Sequence, residues 1–239
     1  MARAVLFDLD DTLFDHRGSS RAALAEVHRR HAAASEFDAF ERHHARFLEE
    51  LHLEVLAGRM PLDDARRERF LRVFDALGIR LSQSDVDAVA AAYRSGYLPA
   101  WRAIDGAAAL LAAVRPRARI GVISNNLMEE TRDKLVFCRL APLVDALVVS
   151  GDEGVSKPDP RIFHIALDRL GVTAEDTVMV GDSWANDIAG AVSAGIRAVW
   201  FNPLRKPRPA EPGGVDEIHA LTPPEAILPR LLGAEPARS

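Results

Sequence analysis

Ala4-Val5-Leu6-Phe7-Asp8-Leu9-Asp10-Asp11-Thr12 sets four apolar residues directly before a cluster of carboxylates. A short apolar run ending in acids reads as a buried strand that stops at a site. If the extended geometry continues through Leu9, its period of two puts Asp8 and Asp10 on the same side of the chain. Two carboxylates held together repel, and they are tolerable only with a cation, a shared proton or strong hydrogen bonds. The combination suggests a metal site with one carboxylate as nucleophile or ligand and the other as proton carrier. An ordinary strand-to-helix loop, with an Asp or Thr12 capping the next helix, would also produce this stretch. The rest of the chain has to decide.

Working outward, residues 18–98 follow a helical pattern. Ser19 or Ser20 is placed to cap a first helix through Leu24 and Val27, and a second stretch covers Phe37 to Leu56. Pro61 stands where a helix-opening proline would, Gly78 ends that helix, and Ser82 or Ser84 caps the next. No strand pattern interrupts this block, which reads as an all-helical insert over 15–99. Beyond Trp101 the pattern alternates. Apolar runs at Ile120–Ile123, Ala146–Val149, Thr177–Val180 and Ala198–Phe201 are separated by helical segments, the last of them Ala185–Ala194. That alternation predicts an α/β fold with a doubly wound parallel sheet. The first strand belongs to the same sheet, so residues 1–14 and 100–239 form one core with the insert between them. Asn202–Gly214, with four prolines, is a loop. A short strand near Glu217–Ala220 and a helix at Pro224–Leu232 follow, and residues 235–239 are expected to fray.

Composition narrows the function classes. The chain has 239 residues, enough for a full core. A net charge of −5 without a block of like charge argues against a dedicated nucleic-acid binder. No apolar run approaches the roughly 20 residues needed to span a bilayer, and no signal peptide is visible. The single cysteine, Cys138, cannot form an internal disulfide, which fits a reducing, cytoplasmic compartment. The basic residues are nearly all arginine, and the only lysines are Lys134, Lys157 and Lys206. Six of the eight histidines (His16, His28, His31, His43, His44 and His52) lie in the insert. They read as polar helix faces, because no acid–His pattern gives a ligand geometry. His16 and Arg17, just behind the first motif, read equally well as substrate-reaching groups or a solvated hinge.

Ligands of an open α/β sheet bind beyond the carboxyl ends of the strands. After the first strand come Asp8 and Asp10; after the second, Ser124-Asn125-Asn126; after the third, a loop to Lys157-Pro158-Asp159-Pro160; after the fourth, Gly181-Asp182-Ser183 and then Asn186-Asp187. Singly, Ser124 reads as a helix cap, Lys157 as a solvated loop residue, and Asp182, Ser183 and Asp187 as first-turn groups favoured by the helix dipole. Jointly they put a hydroxyl, an ammonium and two carboxylate pairs on one edge of one sheet.

In this light the chain resembles the phosphatases of the haloacid dehalogenase superfamily that carry a helical cap after the first strand of a Rossmann-like core. The matching stretches are Phe7–Leu13, Val122–Asn125, Ser156–Pro160 and Val180–Asp187, in the family's order. The resemblance implies Asp8 as the nucleophile forming an aspartyl-phosphate and Asp10 as the acid and base. It implies Mg²⁺ held by Asp8, Asp182 and the backbone carbonyl of Asp10. Ser124 and the amide of Asn125 would bind phosphoryl oxygens, Lys157 would neutralise charge, and Asp187 and Thr12 would support them. The substrate would be a small phosphorylated metabolite, chosen by the cap and the loop behind the first motif; acylneuraminate phosphates, nucleotides and phosphoglycolate are all open. A 2-haloacid dehalogenase is the alternative on the same fold, but halide needs no protonation, and Asp10 with Asp182 argues against it. A Schiff-base phosphonate hydrolase is closed off because residues 15–100 contain no lysine. A sugar-phosphate mutase and a catalytically silent binding module remain as minority readings.

Overall fold

The computed structural model describes residues 2–233; the expectation for residues 235–239 falls outside them. The chain divides into two compact units, residues 1–15 with 102–239 and residues 16–101.

The first unit is built on six parallel strands: β1 (Ala4–Phe7), β2 (Arg119–Ser124), β3 (Ala146–Val149), β4 (Thr177–Gly181), β5 (Arg197–Phe201) and β6 (Asp216–Ile218). Their spatial order is β3-β2-β1-β4-β5-β6. The chain therefore steps outward from β1 to β3, then returns to the other side of β1 with β4. That reversal puts a crevice at the carboxyl end of β1, between β2 and β4. All four residues of β1 are fully buried, as a central strand covered on both faces requires. Ala4 and Leu6 face one side and join a core that includes Ile123, Val148, Phe163, Leu170, Met179 and Trp200. In register, Phe7 stands level with Val122 on β2 and Val180 on β4, so the three strands end within two residues of one another.

The second unit is all helical: α1 (His16–His31), α2 (Phe37–Leu56), α3 (Leu62–Ala76) and α4 (Gln83–Tyr97). Ser82 caps α4 in a reciprocal capping box with Asp85. The expected cap at Ser19 or Ser20 is not formed. The helix begins three residues earlier, and both serines are buried inside it. Ser19 Oγ donates to the Ala100 carbonyl at 2.9 Å, and Ser20 Oγ accepts from the Tyr93 hydroxyl at 3.0 Å. The polar-face expectation also fails for His44. Its ring is 1% exposed, set against Phe70 and Tyr93, and its Nε2 has no hydrogen-bond partner. Burial, reinforced by the neighbouring Arg69, holds its pKa well below the usual imidazole value. His16 is tied through Nδ1 to the Tyr97 hydroxyl at 2.8 Å.

Returning to the sheet unit, its helices are α5 (Ala107–Val114), α6 (Met128–Phe137), α7 (Ser150–Glu153), α8 (Pro160–Leu170), α9 (Gly190–Ser193) and α10 (Pro224–Leu232). One of them departs from expectation. Helix α6 spans Met128–Phe137, the range the sequence predicts, and Ser124, read singly as a helix cap, is instead the last residue of β2. The regular helix expected from Ala185 is replaced by a wide π-type turn over Trp184–Ala189, ahead of α9. Among the described residues, no helix is long and apolar enough to cross a membrane.

Candidate active site

The site begins in the turn after β1. Asp8 prolongs the ladder by one step, its amide donating to the Val180 carbonyl at 2.9 Å. Extended geometry then ends. The carbonyl of Leu9 accepts the amides of Thr12, Leu13 and Phe14, and Asp11 N closes the turn onto Phe14 O at 2.7 Å. Asp11 takes a φ of +62°, a left-handed conformation that aspartate tolerates better than most residues. Leu9, Leu13 and Phe14 are fully buried and anchor the turn in the core. The simple alternation expected through Leu9 thus gives way to a tight turn, and the two acids acquire separate cations.

Lys157 serves Asp8. The ammonium donates to Asp8 Oδ1 at 2.6 Å, Asp187 Oδ1 at 2.7 Å and the Ile123 carbonyl at 3.0 Å, so all three of its protons have acceptors. It is 4% exposed. Asn125 fixes its backbone through a reciprocal pair, with Nδ2 donating to Lys157 O and Oδ1 accepting from Lys157 N, both at 2.8 Å. Burial works against the charge of Lys157, but Asp187 and Asp8 outweigh it and hold the pKa above its ordinary value.

Asp187 sits in the wide turn. Its Oδ2 accepts the Ser183 amide at 2.9 Å while Oδ1 takes Lys157, so both oxygens are engaged. A Cβ at Gly181 would collide with this carboxylate, which is why glycine ends β4. Asp182 is placed by its own backbone: its amide donates to Thr12 Oγ1 at 3.1 Å, and its carbonyl accepts from Trp200 Nε1 at 3.0 Å. The contact with Thr12 stitches the β1 turn to the end of β4. Ser124 closes β2 beside them and is 1% exposed.

Asp10 faces another cation. Lys134 Nζ, on α6, donates to its Oδ1 at 2.7 Å, and Asn126 Nδ2 donates to its Oδ2 at 3.2 Å. The third lysine, Lys206, lies 3.9 Å from Asp182. Every lysine of the chain therefore faces a carboxylate of this site. Lys134, Asn126 and Trp200 are given no role in the site by the sequence reading. Lys134 is four residues after Glu130 on a helix, a spacing that reads as a routine surface ion pair.

One carboxylate oxygen each from Asp8, Asp182 and Asp187 lies within 4.8 Å of the others, the one such acid cluster among the described residues. Burial, with Asp187 adding and Lys157 opposing, raises the Asp8 pKa to about 7. Burial and the charges of Asp8, Asp187 and Asp11 raise Asp182 to about 8. Lys157 and the more distant Lys206 do not offset this concentration of negative charge. Hard oxygen donors short of a counter-charge are the donor set that a divalent cation such as Mg²⁺ fits.

A pH dependence follows. Asp8 and Asp182 hold their protons more tightly folded than unfolded, where both return to about 3.8. They favour the folded state most at low pH, and that contribution is lost as pH rises from about 4 through about 8. The metal-free protein should have a Tm on the order of 5 °C higher near pH 6 than near pH 8.5, and added Mg²⁺ should narrow the gap. A scanning-calorimetry series with and without chelator measures this; a Tm that rises over the interval contradicts the assignment.

Comparison with known proteins is consistent with this geometry. A family model described as haloacid dehalogenase-like hydrolase matches residues 2–195. Phosphoserine phosphatase of Thermus thermophilus is 41% identical over 107 residues, which span 44% of this chain and 42% of that protein. Glyceraldehyde 3-phosphate phosphatase of Pyrococcus abyssi is 32% identical over 206 residues, covering 84% of this chain and 82% of that one. The structure of the Bacillus subtilis hydrolase YfnB, solved bound to magnesium, superposes with a TM-score of 0.75 at 26% identity. It covers 95% of this chain and 97% of that one.

Proposed function

The chain belongs to the haloacid dehalogenase-like hydrolases, and from that premise we propose that it is a Mg²⁺-dependent phosphatase. It would hydrolyse small phosphorylated metabolites through an aspartyl-phosphate intermediate. The observation that carries the reading is the division of labour between two acids two residues apart. Asp8 is buried against Lys157 among the clustered carboxylates, and Asp10 is held apart on Lys134. Asp8 attacks phosphorus as the bond to the leaving oxygen breaks, and Asp10 gives that oxygen its proton. Asp10 then takes a proton from water, which attacks phosphorus, releases inorganic phosphate and restores the Asp8 carboxylate. Lys157 favours the charged form of Asp8 and offsets charge on the transferring group. Ser124 and the amide of Asn125 bind phosphoryl oxygens. Asp187 holds Lys157 in place, and Thr12 holds Asp182. Asp8, Asp182 and the backbone carbonyl of Asp10 would hold Mg²⁺, which supplies charge neutralisation for the phosphoryl oxygens. The lone cysteine supports a cytoplasmic setting.

Turnover of p-nitrophenyl phosphate by the purified protein should require Mg²⁺, vanish with EDTA and return when Mg²⁺ is restored. A panel of phosphorylated metabolites would then name the substrate. The proton supplied by Asp10 is needed for an alkoxide and not for a halide. Halide release from a 2-haloacid without metal would therefore overturn the reading in favour of dehalogenation.

A further inference from the structure

Lys134 is the most deeply buried charge that this mechanism leaves without a task. Its side chain is 1% exposed, whereas its partner Asp10 is 28% exposed. An ordinary helix-surface pair would leave the ammonium in water and gain little from the contact. Here the cation is taken out of water behind the acid. The Phe14 ring lies 4.9 Å from Nζ, and Glu130 Oε1 is 3.5 Å away. Burial opposes this charge, and the two carboxylates stabilise it.

The other oxygen of Asp10 is held as firmly. Asn126, which donates to Oδ2, is locked through its own Oδ1 by the Leu127 amide at 2.8 Å. Its carbonyl accepts from Gly151 N at 3.0 Å and Ser150 Oγ at 3.3 Å. Asp10 thus projects from a short turn, outside the regular ladder, with each oxygen tied to the segment that opens and forms α6. A carboxylate on such a turn has several rotamers open to it, and proton transfer needs one of them.

We infer that Lys134, assisted by Asn126, is a positioning residue that fixes the Asp10 carboxylate in the orientation from which it protonates the leaving group. The inference rests on the proposed role of Asp10 as leaving-group acid. Lys134 itself touches no reacting atom.

The test compares the single-turnover release of phenol from phenyl phosphate with that of p-nitrophenol from p-nitrophenyl phosphate, whose leaving group needs less help from an acid. Asp10→Asn should slow the phenyl ester at least ~10-fold more than the nitrophenyl ester, within the range usual for a general acid. Lys134→Met should reproduce that bias, and Lys134→Arg should restore much of the loss. In the Asp10→Asn background, Lys134→Met should add less than about twofold, because both changes remove one function. Asn126→Ala, which leaves no buried charge unpaired, should show the same bias to a smaller extent and serves if Lys134→Met does not fold. Equal slowing of both esters by the Lys134 and Asn126 variants, or undiminished slowing in the Asp10→Asn background, overturns the inference and leaves the phosphatase reading intact. If Asp10→Asn itself shows no leaving-group bias, the role of Asp10 fails and the inference falls with it.

Discussion

Asp8→Asn should abolish turnover, lowering kcat by at least ~10³-fold on any phosphate ester that the wild type accepts. The substitution keeps the shape of the side chain and removes the carboxylate charge proposed to attack phosphorus. The surroundings would survive it, because Lys157 retains Asp187 Oδ1 at 2.7 Å and the Ile123 carbonyl at 3.0 Å. The variant should therefore fold. It should also lose part of the pH dependence of the metal-free protein, since a carboxyl with a pKa near 7 has been replaced by a group that does not titrate. Steady-state kinetics and calorimetry separate the two effects. Near-normal turnover by a folded Asp8→Asn protein would show that the reaction does not pass through Asp8.

The sheet was legible because its strands are short, apolar and buried, and the helices between them carry a different period. Parallel strands covered on both faces leave little room for another pattern, as the fully buried β1 shows. Four of the site's stations followed from the rule that chemistry gathers at carboxyl ends of strands. The residues that escaped did so for identifiable reasons. Lys134 sits four residues after Glu130, and only the packing of Phe14 and Asp10 around it turns that spacing into a buried ion pair. The π-type turn at Trp184–Ala189 reflects a demand from outside the segment. The Asp187 carboxylate is bonded to Lys157 and to the Ser183 amide, and the Ile188 amide reaches back to the Ser183 carbonyl. Ser19 and Ser20 look like caps to any local rule, yet an Ala100 carbonyl and a Tyr93 hydroxyl more than 70 residues away bond them inside the helix. Each miss is a place where distant contacts overrode a local preference.

Lys157 joins the stability of the site to its chemistry, and its removal should cost both. Its ammonium is, among the described residues, the only basic group bonded to Asp8, and it also bonds Asp187, while all three side chains are buried. Lys157→Met leaves two carboxylates facing each other without that cation, and breaking a buried pair in this way costs about 3–5 kcal/mol. The protein can recover part of the loss by protonating one carboxylate. The drop in Tm should therefore be smaller near pH 6 than near pH 8, whereas loss of simple packing would give a drop independent of pH. Mg²⁺ should restore some stability but not the rate. Without the ammonium, Asp8 is harder to ionise, and charge on the transferring phosphoryl group is offset less well, so kcat should fall by roughly 10²–10³. Lys157→Arg should not rescue. A planar guanidinium cannot place donors at once on two carboxylates and a carbonyl that a compact ammonium reaches at 2.6, 2.7 and 3.0 Å. Full activity in the arginine variant would mean that any nearby positive charge suffices, and the case for a three-way anchor at Lys157 would be lost.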